Sequence, residues 1–129
     1  MKAMINEVKF KSQICTSVEQ SKRLLELGLK PETADCMYSV MTKSYNGRYI
    51  LEEDRQYNLI LFRQEDVQSV GFSHYEHIPA WSLHRLIELY KDVEDISLWS
   101  LEFVNYNRLI QCIRLAIKHG AFNKEYLKQ

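Results

Sequence analysis

The sequence predicts an α+β domain: a small antiparallel sheet of three to four strands packed by about three helices. Three observations point there. Apolar residues recur with helical period in three separate stretches. Strand-forming residues gather around an Asn46-Gly47 pair, the signature of a hairpin turn. Nothing along the 129 residues divides the chain, since no linker, internal repeat or low-complexity tract interrupts it. One domain over residues 1–129 is expected, with residues 1–13 as a flexible leader.

The first helix is expected from about Val18 to Leu27. Thr16 and Ser17 each offer a side-chain oxygen to the N-terminal N–H groups, and Glu19 and Gln20 stand three residues on from them, as a capping box needs. Val18, Ser21, Leu25 and Gly28 share a face with Leu24 beside it, and Gly28 is a natural stop because glycine enters the left-handed region without penalty. Pro31 suits the first position of a short helical turn in PETADC.

The stretch MYSVMTKSYNGRYILEE predicts a hairpin with Asn46-Gly47 in a type I′ turn, and YNLILF adds a strand in meander order. RQEDVQSVGFSHYEH is polar and holds Gly71, so it reads as a loop. From Ala80 to about Tyr90 the period becomes 3.6, with Leu83, Leu86, Ile87 and Tyr90 on one face, which should pack on the sheet. Pro79 drives Ile78 extended, and Trp81 should anchor the start of this helix against the sheet. DISLWSLEF leaves two alternatives open, a fourth strand or a Ser100-capped start of the last helix. That helix, near residues 106–119, has a wide face of Leu109, Ile110, Ile113, Ala116 and Ile117 and ends at Gly120.

The segments ICTSVEQSKRLLELGLKPETADCMY, IPAWSLHRLIELY and AIKHGAFNKEYLK resemble a family of short proteins encoded by phages and mobile elements of gut anaerobes. The resemblance touches about half of the chain and leaves the hairpin region uncovered. It implies an accessory role and brings no catalytic residue with it.

Composition narrows the function classes. Seventeen basic residues balance seventeen acidic ones, so no overall field holds a polyanion or an anionic membrane. No apolar run approaches membrane-spanning length, and the charged start MKAMINEVKFKSQ lacks the apolar core of a signal peptide, so a cytoplasmic protein with no membrane partner is expected. Cys15, Cys36 and Cys112 are odd in number and widely spaced, which argues for reduced thiols over a disulfide framework or a metal knuckle. Cys15 lies near a helix N-terminus, where a thiolate is favoured.

Three functional readings follow. In the first, the protein is a non-catalytic binding or regulatory accessory protein without a cofactor, associating with a protein partner or with itself. Its eight tyrosines, two tryptophans and five phenylalanines supply interface anchors, with Trp81, Tyr45 and Tyr49 as candidates. The competing reading of these rings is a half-buried place at the core edge. In the second, Arg108, Arg114 and Lys118 along the last helix, with Tyr45, Arg48 and Tyr49 on a sheet face, bind nucleic acid. The plain alternative is a solvated helix face. In the third, a small metal-dependent or hydrolytic enzyme uses His74, Glu76 and His77, joined by His84 or by Glu65 and Asp66, as zinc-type ligands. Two histidines three apart share a face on a helix but point to opposite faces on a strand, which tells against this set. Glu52, Glu53 and Asp54 read as a solvated turn.

Overall fold

A computed structural model describes residues 13–61 and 75–128. Residues 62–74, which hold most of the expected loop with Glu65, Asp66, Gly71 and His74, and most of the expected leader therefore lie outside the described residues. Helices α1 (Val18–Glu26), α2 (Leu83–Tyr90) and α3 (Tyr106–Lys118) accompany strands β1 (Cys36–Met41), β2 (Tyr57–Leu61) and β3 (Tyr75–Ala80). The expected α+β class with a three-stranded antiparallel sheet is what the chain forms.

Helix α1 begins as its sequence requires. Ser17 accepts the Gln20 N–H, and the Gln20 side chain accepts the Ser17 N–H at 2.9 Å, a complete capping box. It ends in a Schellman motif: Leu29 N–H bonds Leu24 C=O at 3.2 Å and Gly28 N–H bonds Leu25 C=O at 3.0 Å, around Gly28 at φ +99°. Leu24 and Leu29, the apolar pair of that motif, are both fully buried. Helix α3 closes in the same way at Gly120, with Ala121 N–H bonded to Ala116 C=O at 2.8 Å.

The strand order is β2-β1-β3, so β1 is central and pairs antiparallel on both sides. This differs from a meander through the Asn-Gly hairpin. Beyond β1 the hairpin is narrow, with a single bridge between Lys43 and Tyr49, and its second arm leaves before forming a strand. The turn itself also differs from type I′. No described non-glycine residue has positive φ, so Asn46 cannot take that turn's first central place. Gly47, at φ +81°, is instead the left-handed residue of a three-residue loop closed by Ser44 N–H to Arg48 C=O at 2.8 Å.

The third strand is YEHIPA, a stretch whose polar start reads as loop and whose end reads as the beginning of a helix. Pro79 is tolerated there because β3 pairs only with β1 and leaves its other edge free of the sheet. Helix α2 consequently starts at Leu83, with Ser82 as N-cap accepting the Arg85 N–H at 3.1 Å.

The main core lies among the helices. Leu24, Leu29, Ala34, Trp81, Leu86, Leu89, Tyr90, Leu109, Ile110 and Ile113 are among its buried members, and no residue of a described strand belongs to it. Helix α2 therefore turns its Leu86, Leu89 and Tyr90 side toward α3 and Trp81, where packing on the sheet is the simpler expectation. The sheet carries its own buried positions, including Met37, Val40 and Ile78. No described helix is long and apolar enough to cross a membrane.

Candidate functional site

Trp81 is fully buried at the centre of the helical core, out of reach of a partner, so the interface role considered for it is replaced by a structural one. Its indole N–H donates to Thr33 Oγ1 at 3.0 Å, and Thr33 Oγ1 donates on to Lys30 C=O at 2.6 Å. Its backbone N–H donates to Thr16 Oγ1 at 3.0 Å. Burying roughly 150–250 Å² of aromatic surface contributes on the order of 4–6 kcal/mol. Asp35 holds the adjoining turn by accepting the Ser82 N–H at 2.8 Å and the Ser82 hydroxyl. Ser82 is thus occupied as a cap and a tie.

The metal candidates among the described residues, Glu76, His77 and His84, do not converge; His74, Glu65 and Asp66 lie outside the described residues. Glu76 and His77 are consecutive in β3, so they project from opposite faces of the sheet. His77 shares a cross-strand row with Ser39 and Asn58, whereas Glu76 aligns with Val40 and Tyr57. His84 is on the exposed side of α2, 3.6 Å from Glu88. No group of three or more metal-ligating side chains occurs among the described residues. Both ring nitrogens of His77 are buried without a hydrogen-bond partner among the described residues.

The Cys15 thiol departs from expectation, whereas Cys36 takes the buried place expected of it. Cys15 and Cys36 are both buried and share a small cluster with Ala80 and the edge of Tyr38. Burial is the main force pushing the Cys15 thiol upward, despite its position near the start of α1. Burial likewise raises Cys36, reinforced by its hydrogen bond with Cys15 and by the negative charge of Asp35. Neither is a ready nucleophile.

Tyr45 and Tyr49 are 94% and 75% exposed, with Leu51 exposed nearby. They sit on the hairpin beyond the end of β1 and do not lie on a sheet face; Lys43 Nζ lies 4.9 Å from the Tyr49 ring centre. Glu52–Asp54 form an exposed single turn, as expected of a solvated acidic turn. Arg108, Arg114 and Lys118 are all exposed on α3, and none has an ion pair among the described residues. Arg114 Nε donates to Gln111 Oε1 at 3.3 Å, which is ordinary surface bonding.

The most exposed apolar group outside the hairpin lies where neither alternative for DISLWSLEF applies. Residues 96–104 form two single 3₁₀ turns, Ile96–Leu98 and Leu101–Phe103, in place of a fourth strand or a helix start. Asp95 begins the stretch by accepting the Ser97 N–H at 2.9 Å, a bond that holds its carboxyl below the usual range. Asn105 ends it, capping α3 through the Arg108 N–H at 2.9 Å while its amide donates to Glu102 C=O. Trp99 turns inward to Tyr90, with ring centres 6.3 Å apart, and its indole N–H reaches Glu94 at 3.3 Å.

With Trp99 held inward, Leu98 and Leu101 face water at 93% and 91% exposure, and Phe103 is half exposed. Arg108 lies 5.7 Å from the Phe103 ring centre. Leu98, Trp99, Ser100, Phe103 and Arg108 line a surface hollow of about 290 Å³. Leu115, seven residues along α3 from Arg108 and hence on the same side, extends the apolar surface. A hollow lined by Leu98 and two aromatic rings together with Ser100 and Arg108, polar and apolar in about equal measure, is suited to receiving a partner's side chain.

Sequence reasoning passes over Leu98 and Leu101, because either a strand or a helix would give them a buried face. The available signal is Asn105, a second helix-capping residue that starts α3 afresh and so separates it from the chain that Asp95 begins.

Comparison with protein-family models, curated proteins and solved structures finds no match for the chain.

Proposed function

We propose that this is a non-catalytic accessory protein of the cytoplasm that works by binding another protein chain, in keeping with the phage or mobile-element resemblance of its helical segments. The supporting observation is the exposure of Leu98, Leu101 and Phe103 within one short stretch, with Leu98 and Phe103 lining one hollow beside Arg108. Clustered exposed apolar side chains with an arginine rim are the anatomy of an interface, whereas scattered ones are ordinary.

The test is affinity capture from the native host with wild-type and Leu98→Asp bait. Leu98 is almost fully exposed, so the variant keeps its fold. A protein captured by the wild type and lost from the variant supports the reading; an identical set of captured proteins counts against this surface.

Nucleic-acid binding is the second reading, supported by the exposed Arg108, Arg114 and Lys118, which have no ion pair among the described residues. It expects salt-sensitive retardation of DNA or RNA that disappears when those three become alanine, and an absence of retardation at low salt removes it.

A further inference from the structure

We propose that the residue 98–108 surface pairs with a second copy of this chain, Leu101 of each copy filling the hollow of the other. The inference rests on the protein-binding reading above and names the partner for that surface.

The argument begins with self-complementarity. A two-fold interface uses the same patch on both copies, so a patch that closes on itself must carry both a projection and its recess. Here they are neighbours. Leu101 is 91% exposed and takes no part in lining the hollow, which is built by Leu98, Trp99, Ser100, Phe103 and Arg108.

Charge supplies the second requirement. Glu102 follows Leu101 and is exposed, and Arg108 forms the rim of the hollow. Among the described residues the ion pairs are His84–Glu88 and Arg85–Glu88, and neither Glu102 nor Arg108 takes part in one. Seating Leu101 of one copy in the hollow of the other carries its Glu102 toward the facing Arg108. The two-fold axis repeats that pairing in reverse, so two cross-copy ion pairs would flank two buried leucines.

Sedimentation equilibrium of the full chain across micromolar to millimolar concentration tests the proposal. The expected result is a reversible monomer–dimer equilibrium that Leu101→Asp converts to monomer with unchanged circular dichroism. Glu102→Arg and Arg108→Glu should each weaken the dimer about tenfold, and the double exchange should restore it, because the pairing is then reversed and intact. A chain that stays monomeric throughout overturns the proposal, as does a dimer indifferent to Leu101→Asp and to both charge exchanges. Host capture that depends on Leu98 while the isolated chain is monomeric would overturn this inference alone and leave the broader reading standing.

Discussion

Tyr90 shows how a residue placed for packing acquires a chemical signature. It is buried at the end of α2, its hydroxyl donates to Glu94 Oε2 at 3.1 Å, and its ring meets Trp99. Burial above all, then the nearby Cys112 and Glu94 groups, pushes its ionisation up to about 12. The unfolded chain ionises tyrosine near 10. A folded value above the unfolded one means that the contribution to stability is fully present below about pH 10 and disappears as pH rises through about 12. Thermal unfolding followed from pH 9 to 12 should therefore show a falling midpoint, and Tyr90→Phe should flatten the fall; an unchanged slope would place the titrating group elsewhere. Tyr90 is readable from sequence as part of a helical apolar stripe. Its partners are not, because Glu94 lies past the end of the helix and Trp99 arrives by way of irregular chain.

At the scale of elements, the helices are local objects and their ends show it. Ser17 with Gln20 starts α1, Gly28 stops it, Asn105 starts α3 and Gly120 stops it, and each device acts within a few residues. Gly28 is the sharpest test. At φ +99° a side chain would be strained, yet a β-carbon built there meets nothing within 4 Å, so any penalty is conformational. Gly28→Ala should lower stability by about 1–2 kcal/mol, measured by urea unfolding, with no change in helix content. A neutral effect would show that the chain relaxes out of the left-handed region. The strands are harder to read. β3 is half polar and contains a proline, and it is a strand because β1 offers it an edge. The 3₁₀ turns at 96–103 invert the case, since a strand-like composition finds no strand to pair with.

Across the whole molecule, the core and the sheet are separate investments of buried surface. Trp81, Leu86, Leu89, Leu109 and Ile113 are fully buried together, while Leu59 and Ile60 of β2 remain at least a third exposed. Cooperative stability should follow that division. Amide hydrogen exchange should find the slowest protons in α3 and its contacts with α2, and faster exchange in β2; equal protection of β2 and α3 would show that the sheet opens only with the core. The candidate surface is a product of the same division. Helix α2 and helix α3 meet around Trp81, and the chain joining them must run outside the core, which carries Leu98 and Leu101 into solvent. The sequence by itself determined the class, the three helices, the caps of α1 and the Gly120 stop of α3, because these depend on residues close together in the chain; it missed Ser82 and Asn105 as the caps that start α2 and α3. Only the tertiary structure decided the strand order, the burial of Trp81, the separation of Glu76 from His77 and the exposure of Leu98 and Leu101. Each depends on which distant segments meet, and local propensity does not encode that choice.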